Sequence, residues 1–118
     1  MIPVDNTSSF GHYAPSSIVK IIIYITRNVG TNWFSKRIIF LLRKIAILLS
    51  KECIDTNLFS AKLRLYTKGN VSEKRALFSP QIFEKDERDF IKVKCQDNSI
   101  FIDIGSNIGL YSFSVGSV

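Results

Sequence analysis

The sequence predicts an α/β fold in which amphipathic helices precede the start of an α/β domain, and three observations support this prediction. Residues 33–51 carry polar pairs every seven positions, which is the spacing of a helix. Residues 61–67 alternate between apolar and polar side chains, as a half-buried strand does. A short apolar run at 99–104 leads into a glycine-bearing loop at 105–109. With 118 residues, the chain has room for one small domain.

The first seventeen residues are predicted to be a mobile tail. Residues 1–17 are rich in Ser, Asn, Pro and Gly and show no periodicity. Residues 18–29 are apolar, and their many isoleucines favour a strand. Ser16 before this run and Gly30 after it are typical helix caps, so we predict a helix. His12 lies in the tail with no neighbouring base, nucleophile or ligand, so we assign it no catalytic role.

Residues 33–51 form the clearest predicted helix. Its polar positions make one narrow stripe, and the rest of its circumference is apolar. So wide an apolar face needs another helix, a missing domain or a lipid surface to cover it. The helix is not a predicted membrane span, because Arg43 and Lys44 interrupt it and spanning takes about 20 mostly apolar residues. Protein packing is the favoured interpretation, and in-plane contact with an anionic membrane surface is the alternative.

The next elements complete the predicted order. The strand at 61–67 is followed by a turn signal at 68–70. Ser79 and Pro80 are typical of a helix start, and the spacing of apolar residues predicts a helix from about 80 to 94. We therefore divide the chain into the tail, a basic amphipathic helical region at 18–59, and the start of an α/β domain at 60–118.

Charge and cysteine content limit the possible functions. The net charge is +6, and residues 20–51 hold seven Lys or Arg and no Asp or Glu. These cations lie beside large aliphatic residues without the interleaved aromatics of a stacking surface, so nucleic acid is an unlikely partner. Cys53 and Cys95 lack neighbours at metal-ligand spacing, which predicts reduced thiols and no metal site. No secretory signal precedes residue 18, so we predict a cytoplasmic protein, with peripheral membrane contact as the alternative.

The loop after residue 104 carries the candidate chemistry. Ligands of open α/β sheets bind beyond the carboxyl ends of strands, where Asp103, Gly105 and Gly109 lie. A P-loop lysine is absent, and Asn107 and Leu110 stand where a dinucleotide fingerprint needs glycine. A carboxylate here repels pyrophosphate but accepts hydrogen bonds from an amine or a hydroxyl, which favours an aminoacyl nucleoside. The alternative is a structural turn in which Asp103 caps the next helix.

Residues 101–112 resemble the first cofactor motif of FkbM-type S-adenosylmethionine-dependent methyltransferases. That family reads D-[VI]-G-A-N-[VI]-G, and this chain has Asp-Ile-Gly-Ser-Asn-Ile-Gly at 103–109, with Ser106 in place of the commoner alanine. The aromatic and acidic residues of 83–91 are similar to the family's segment before the motif. The resemblance extends from about Lys62 to Ser114.

The resemblance implies the cofactor, the fold and the reaction. S-adenosylmethionine would be contacted by Asp103, Gly105, Asn107 and Gly109, with Glu84 shaping the entrance; no catalytic residue is assigned. It implies a Rossmann-like class I methyltransferase domain that transfers a methyl group to a sugar or lipid-linked hydroxyl.

Only the opening of such a domain falls within the sequence, so we expect an incomplete domain. A truncated or split-gene fragment of this kind would be inactive alone and would need a complementing C-terminal chain. The alternative is a small basic protein that binds a membrane surface or a partner through residues 33–51.

Overall fold

Two helices, an antiparallel hairpin and three further helices follow one another in the computed structural model, which describes residues 4–116. Residues 1–3 of the predicted tail and 117–118 of the predicted α/β region lie outside the described residues. The elements are α1 (Ser17–Asn28), α2 (Trp33–Leu49), β1 (Cys53–Leu58), β2 (Ala61–Tyr66), α3 (Val71–Phe78), α4 (Lys85–Lys94) and α5 (Leu110–Gly116). The described residues thus mix helices with one small sheet, which confirms the coarse α/β prediction.

The first two helices form where the sequence predicts them. The side chain of Ser16 caps α1 by accepting a hydrogen bond from the Val19 amide, and Asn32 caps α2 in the same way. The two helices pack against each other and bury only one side of each. No helix among residues 4–116 combines the length and the apolar character needed to cross a bilayer.

The hairpin confirms one predicted strand and adds another. β2 occupies the predicted alternating segment and pairs with β1 from Cys53–Tyr66 to Leu58–Ala61. Phe59 and Ser60 have positive φ angles of 50° and 60°, so they form the two-residue turn that suits the twist of a hairpin. The helical region predicted at 18–59 includes 53–58, but the structure has a strand there. Pairing with β2 gives this segment its strand geometry, and its first three side chains are all buried.

One hydrophobic core joins the hairpin to the helices. Leu77 and Phe78 at the end of α3 are fully buried, and Ile54 of β1 and Ala46 of α2 are buried with them. Leu110 at the start of α5 belongs to the same cluster. The loop before α5 is therefore anchored at one end by the core.

An acidic side chain in β1 organises the hairpin and the segment before α1. Asp55 has a side chain that is 1% exposed and accepts a hydrogen bond from Arg64 Nε at 2.7 Å. It also accepts hydrogen bonds from the backbone amides of Gly11 at 2.7 Å and Tyr13 at 3.1 Å. These donors satisfy a carboxylate that would otherwise be costly to bury, and they lower its pKa, with Arg64 making the largest contribution.

Hydrogen bonds of Asp55 and Arg64 also hold residues 5–13 against the sheet. Arg64 donates through its guanidinium to the backbone carbonyls of Asp5 at 3.0 Å and Ser9 at 3.0 Å. The Asp5 amide donates to the Tyr66 hydroxyl at 2.8 Å, and the Tyr13 carbonyl accepts from the Asp55 amide at 3.0 Å. The prediction of a mobile tail did not anticipate these contacts, because they depend on residues more than forty positions away.

Two later segments also differ from the sequence prediction. α4 begins at Lys85 instead of at about 80, because Glu84 adopts a left-handed conformation with φ 49° and Arg88 donates to the Phe83 carbonyl. Residues 99–104 were expected to form a buried parallel strand but are irregular. Ile100, Ile102 and Ile104 are 91%, 75% and 92% exposed. The reason is that the two strands within residues 4–116 pair with each other and offer this segment no neighbour.

Replacing Asp55 with Asn should destabilise the fold. The variant keeps the shape of the side chain but removes the charge that pairs with Arg64, and we expect the free energy of unfolding to fall by about 2–3 kcal/mol. Urea denaturation followed by circular dichroism measures this. The control is Lys85→Gln, which breaks the solvent-exposed pair with Asp89 and should leave the midpoint nearly unchanged. Equal effects of the two substitutions would contradict the role of Asp55.

The same comparison should depend on pH. The pKa of Asp55 is lower in the folded protein than its usual value of about 3.9, so its stabilising contribution is complete above that value. This contribution is lost as the pH falls through the lower pKa that Asp55 has in the folded protein. We therefore expect the difference in unfolding free energy between wild type and Asp55→Asn to be full at pH 7 and to shrink below about pH 4. A difference that grows on acidification would contradict this assignment.

Candidate functional site

The loop at 105–109 takes its shape from three residues with positive φ. Gly105, Asn107 and Gly109 have φ angles of 71°, 52° and 72°. Glycine adopts such angles freely, and asparagine tolerates them better than most residues. The Gly109 amide donates to the Ser106 carbonyl at 2.7 Å, which closes the loop just before α5. The D-x-G-x-N-x-G pattern therefore encodes a specific backbone path.

Asn107 holds the loop against the start of α3. Its side-chain amide donates to Ser72 Oγ at 2.9 Å, and its carbonyl oxygen accepts from Asn70 Nδ2 at 3.3 Å. Asn70 also caps α3 and donates to Glu73 at 3.1 Å. Sequence reasoning missed both partners of Asn107, although a capping asparagine after the 68–70 turn signal is a recognisable feature.

Glu84 and Tyr111 meet beside this loop. Glu84 has the left-handed backbone described above, and its side chain does not cap α4. The neighbouring Glu84 carboxylate, as an acceptor for the Tyr111 hydroxyl, is the main cause that raises the pKa of Tyr111 to about 12. At neutral pH Tyr111 therefore presents a protonated hydroxyl beside the Glu84 carboxylate, and both residues line the same cavity.

The side chain of Asp103 contacts a side chain of α5. Its Oδ2 accepts a hydrogen bond from Ser112 Oγ at 2.8 Å. The sequence left open that Asp103 caps the following helix, but α5 begins at Leu110, seven residues later. The Phe113 amide of α5 donates to the carbonyl of Gly109 in the loop instead. The carboxylate of Asp103 is thus oriented by α5 without serving as its N-cap.

These residues surround a cavity of about 260 Å³. Four of the five predicted site residues line it: Glu84, Asp103, Gly105 and Asn107. Gly109 is not among the lining residues that the structure describes, and a Cβ there would lie 3.2 Å from the Phe113 ring. The described lining includes two carboxylates and no Lys or Arg. The cavity is therefore suited to a cationic or hydrogen-bond-donating group and unsuited to phosphate.

The histidine, cysteine and acidic side chains of residues 4–116 do not cluster as metal ligands do. No group of three or more His, Cys, Asp or Glu side chains there is arranged to hold a metal ion. Both cysteines are free thiols; Cys53 is buried, and burial raises its pKa. A raised pKa makes the thiolate scarce, so Cys53 is not an activated nucleophile.

The chain matches no family model, no curated protein and no solved structure. The resemblance of residues 101–112 to the FkbM-type motif therefore stays a prediction.

Alanine substitutions at the two loop glycines should differ in cost. Both positions have positive φ, which costs a residue with a side chain about 1–2 kcal/mol. A Cβ at Gly105 meets open space, whereas one at Gly109 presses on Phe113, so Gly109→Ala should be the less stable variant in urea denaturation. In a Phe113→Leu background the difference between the two variants should shrink. Equal stability of the two single variants would contradict the close contact.

Proposed function

We propose that this chain contributes the cofactor loop of an S-adenosylmethionine-dependent methyltransferase. The observation that carries the proposal is the charge of the cavity: Glu84 and Asp103 face it, and its described lining holds no cation. The resemblance of residues 101–112 to the FkbM-type motif, which includes Asp103, also supports a cofactor role for this loop.

The chemistry of the lining fits an aminoacyl nucleoside that carries positive charge. Asp103 and Glu84 would attract its amine and sulfonium groups, because a carboxylate binds cationic donors strongly in a partly desolvated cavity. The Asn107 side chain and the glycine backbone would position its amino-acid end. When bound, S-adenosylmethionine supplies a methyl group on a positively charged sulfur. The residues of this loop bind and orient, and none is assigned as a general base or nucleophile.

The Rossmann-like arrangement is part of the proposal. Ile100, Ile102 and Ile104 stand at alternate positions of a segment that leads directly into the cavity, and all three are exposed. In a doubly wound sheet these side chains would be covered by helices and their backbone would pair with neighbouring strands. We propose that a complementing C-terminal chain provides those strands, and that this chain alone is inactive. Transfer to a sugar or lipid-linked hydroxyl is the reaction that the resemblance implies.

The test is whether S-adenosylmethionine binds at this loop, and NMR of the backbone amides monitors the binding. We expect millimolar cofactor to shift the amides of Gly105 and Asn107, while adenosine triphosphate at the same concentration does not, because the cavity is acidic. Asp103→Asn should weaken binding about tenfold, since it removes one charge-assisted contact. The matched control is Asp97→Asn, an exposed acid outside the cavity, which should leave the affinity unchanged.

Four results would contradict parts of the proposal in different ways. If the triphosphate shifts the loop amides as strongly as S-adenosylmethionine does, the charge argument fails. If neither ligand shifts them, or if Asp103→Asn binds as the control does, the cavity is not a cofactor site. Micromolar affinity of the chain alone would support the site but would overturn the claim that it needs a complementing chain.

A further inference from the structure

An apolar stripe runs along the outer side of α2. Phe34, Ile38, Leu41, Ile45 and Leu48 follow one another at spacings of four and three residues, so they lie on one face of the helix. Their side chains are between 37% and 84% exposed, whereas the buried residues Ser35, Ile39 and Ala46 lie on another face. We call these five exposed residues the α2 stripe. Exposed apolar surfaces that continue along a helix mark interaction sites more often than isolated apolar residues do.

Cations and aromatic rings border the α2 stripe. Arg37 and Lys44 directly precede the stripe residues Ile38 and Ile45, so both lie along the same side of the stripe. Both cations are exposed. The Arg37 guanidinium lies over the Trp33 ring at 5.0 Å, and Lys44 Nζ lies over the Phe40 ring at 4.6 Å. No Asp or Glu occurs between residues 18 and 51. One side of the stripe is therefore basic, and no acidic residue of α2 borders it.

A second copy of the chain is a poor match for this surface. If two α2 helices paired through their stripes as a coiled coil, Arg37, Lys44 and Lys51 would occupy the flanking positions that usually carry interhelical salt bridges. No carboxylate on the partner helix would face them, so the cations would be left unpaired or would repel one another. α2 also has only 17 residues, fewer than the three or four heptads of a recognisable coiled coil.

We infer that the α2 stripe docks in the plane of an anionic lipid surface. The apolar residues would enter the boundary between headgroups and acyl chains, and the bordering cations would contact anionic headgroups. Trp33 and Phe40 would lie at headgroup level, where aromatic residues are enriched. This inference is independent of the proposed cofactor site, which lies in the loop before α5.

Trp33 provides a direct readout, because it is the one tryptophan in the sequence. Its ring is 69% exposed, so transfer into lipid should shift its fluorescence to shorter wavelength. The experiment mixes the full chain with vesicles of equal parts phosphatidylcholine and phosphatidylglycerol and measures fluorescence and co-sedimentation. We expect a blue shift and co-sedimentation with these vesicles, and much weaker binding to phosphatidylcholine alone.

Matched variants separate the apolar and the ionic contributions. Leu41→Glu with Leu48→Glu should abolish co-sedimentation, whereas Phe90→Glu with Val93→Glu on α4 should reduce it far less. The second pair makes the same charge change at exposed apolar residues away from the stripe. Arg37→Gln and Lys44→Gln should each weaken binding to the anionic vesicles by about fivefold. Circular dichroism checks that each variant keeps its helices.

The inference would be overturned by a lack of blue shift with anionic vesicles or by equal binding to neutral and anionic vesicles. It would also be overturned if the two glutamate pairs had equal effects. A dimer in light scattering that Leu41→Glu with Leu48→Glu dissociates, together with no vesicle binding, would assign the stripe to a second copy instead. Asp103→Asn should leave vesicle binding unchanged, so failure here and failure of the cofactor site are distinguishable.

Discussion

The buried carboxylate of Asp55 is the constraint on which the rest of the structure depends. A charge with a side chain 1% exposed needs several donors, and Asp55 obtains them from Arg64 on the neighbouring strand and from the backbone of Gly11 and Tyr13. These bonds fix the pairing of β1 with β2 and draw the N-terminal segment across the hairpin. Arg64 is then able to donate to further carbonyls of that segment, so one pair of charges organises three stretches of chain.

From this hairpin, hydrogen bonds continue to the cavity. The Tyr66 amide at the end of β2 donates to Glu73 of α3, and Glu73 accepts from Asn70, which in turn contacts Asn107. The loop is therefore positioned by α3 on one side and by the buried Leu110 on the other. This support explains why residues with positive φ can hold a defined path in a loop whose tip is exposed.

Local patterns predicted the parts of the structure that depend on local physics. The seven-residue spacing identified α2 and the alternation identified β2, because each pattern has the periodicity of its element. β1 was missed, since its strand geometry comes from pairing with β2 and its burial does not alternate. At 99–104 the β-branched composition is typical of a strand, yet composition cannot provide the neighbour that a strand requires. For the site, the motif identified the residues of the loop. The contact of Ser72 with Asn107 and the place of Tyr111 in the cavity lining depend on the fold and could not be predicted from the motif.

The anchoring of Asn107 has a consequence for synthesis of the chain. Every side chain that holds the hairpin and the N-terminal segment together belongs to residues 5–66, and the anchors Asn70 and Ser72 follow directly. The residues that support Asn107 are therefore all translated before the loop itself. Because Asn107 contacts residues 35 and 37 positions before it, the loop reaches its anchored path only after both segments have left the ribosome.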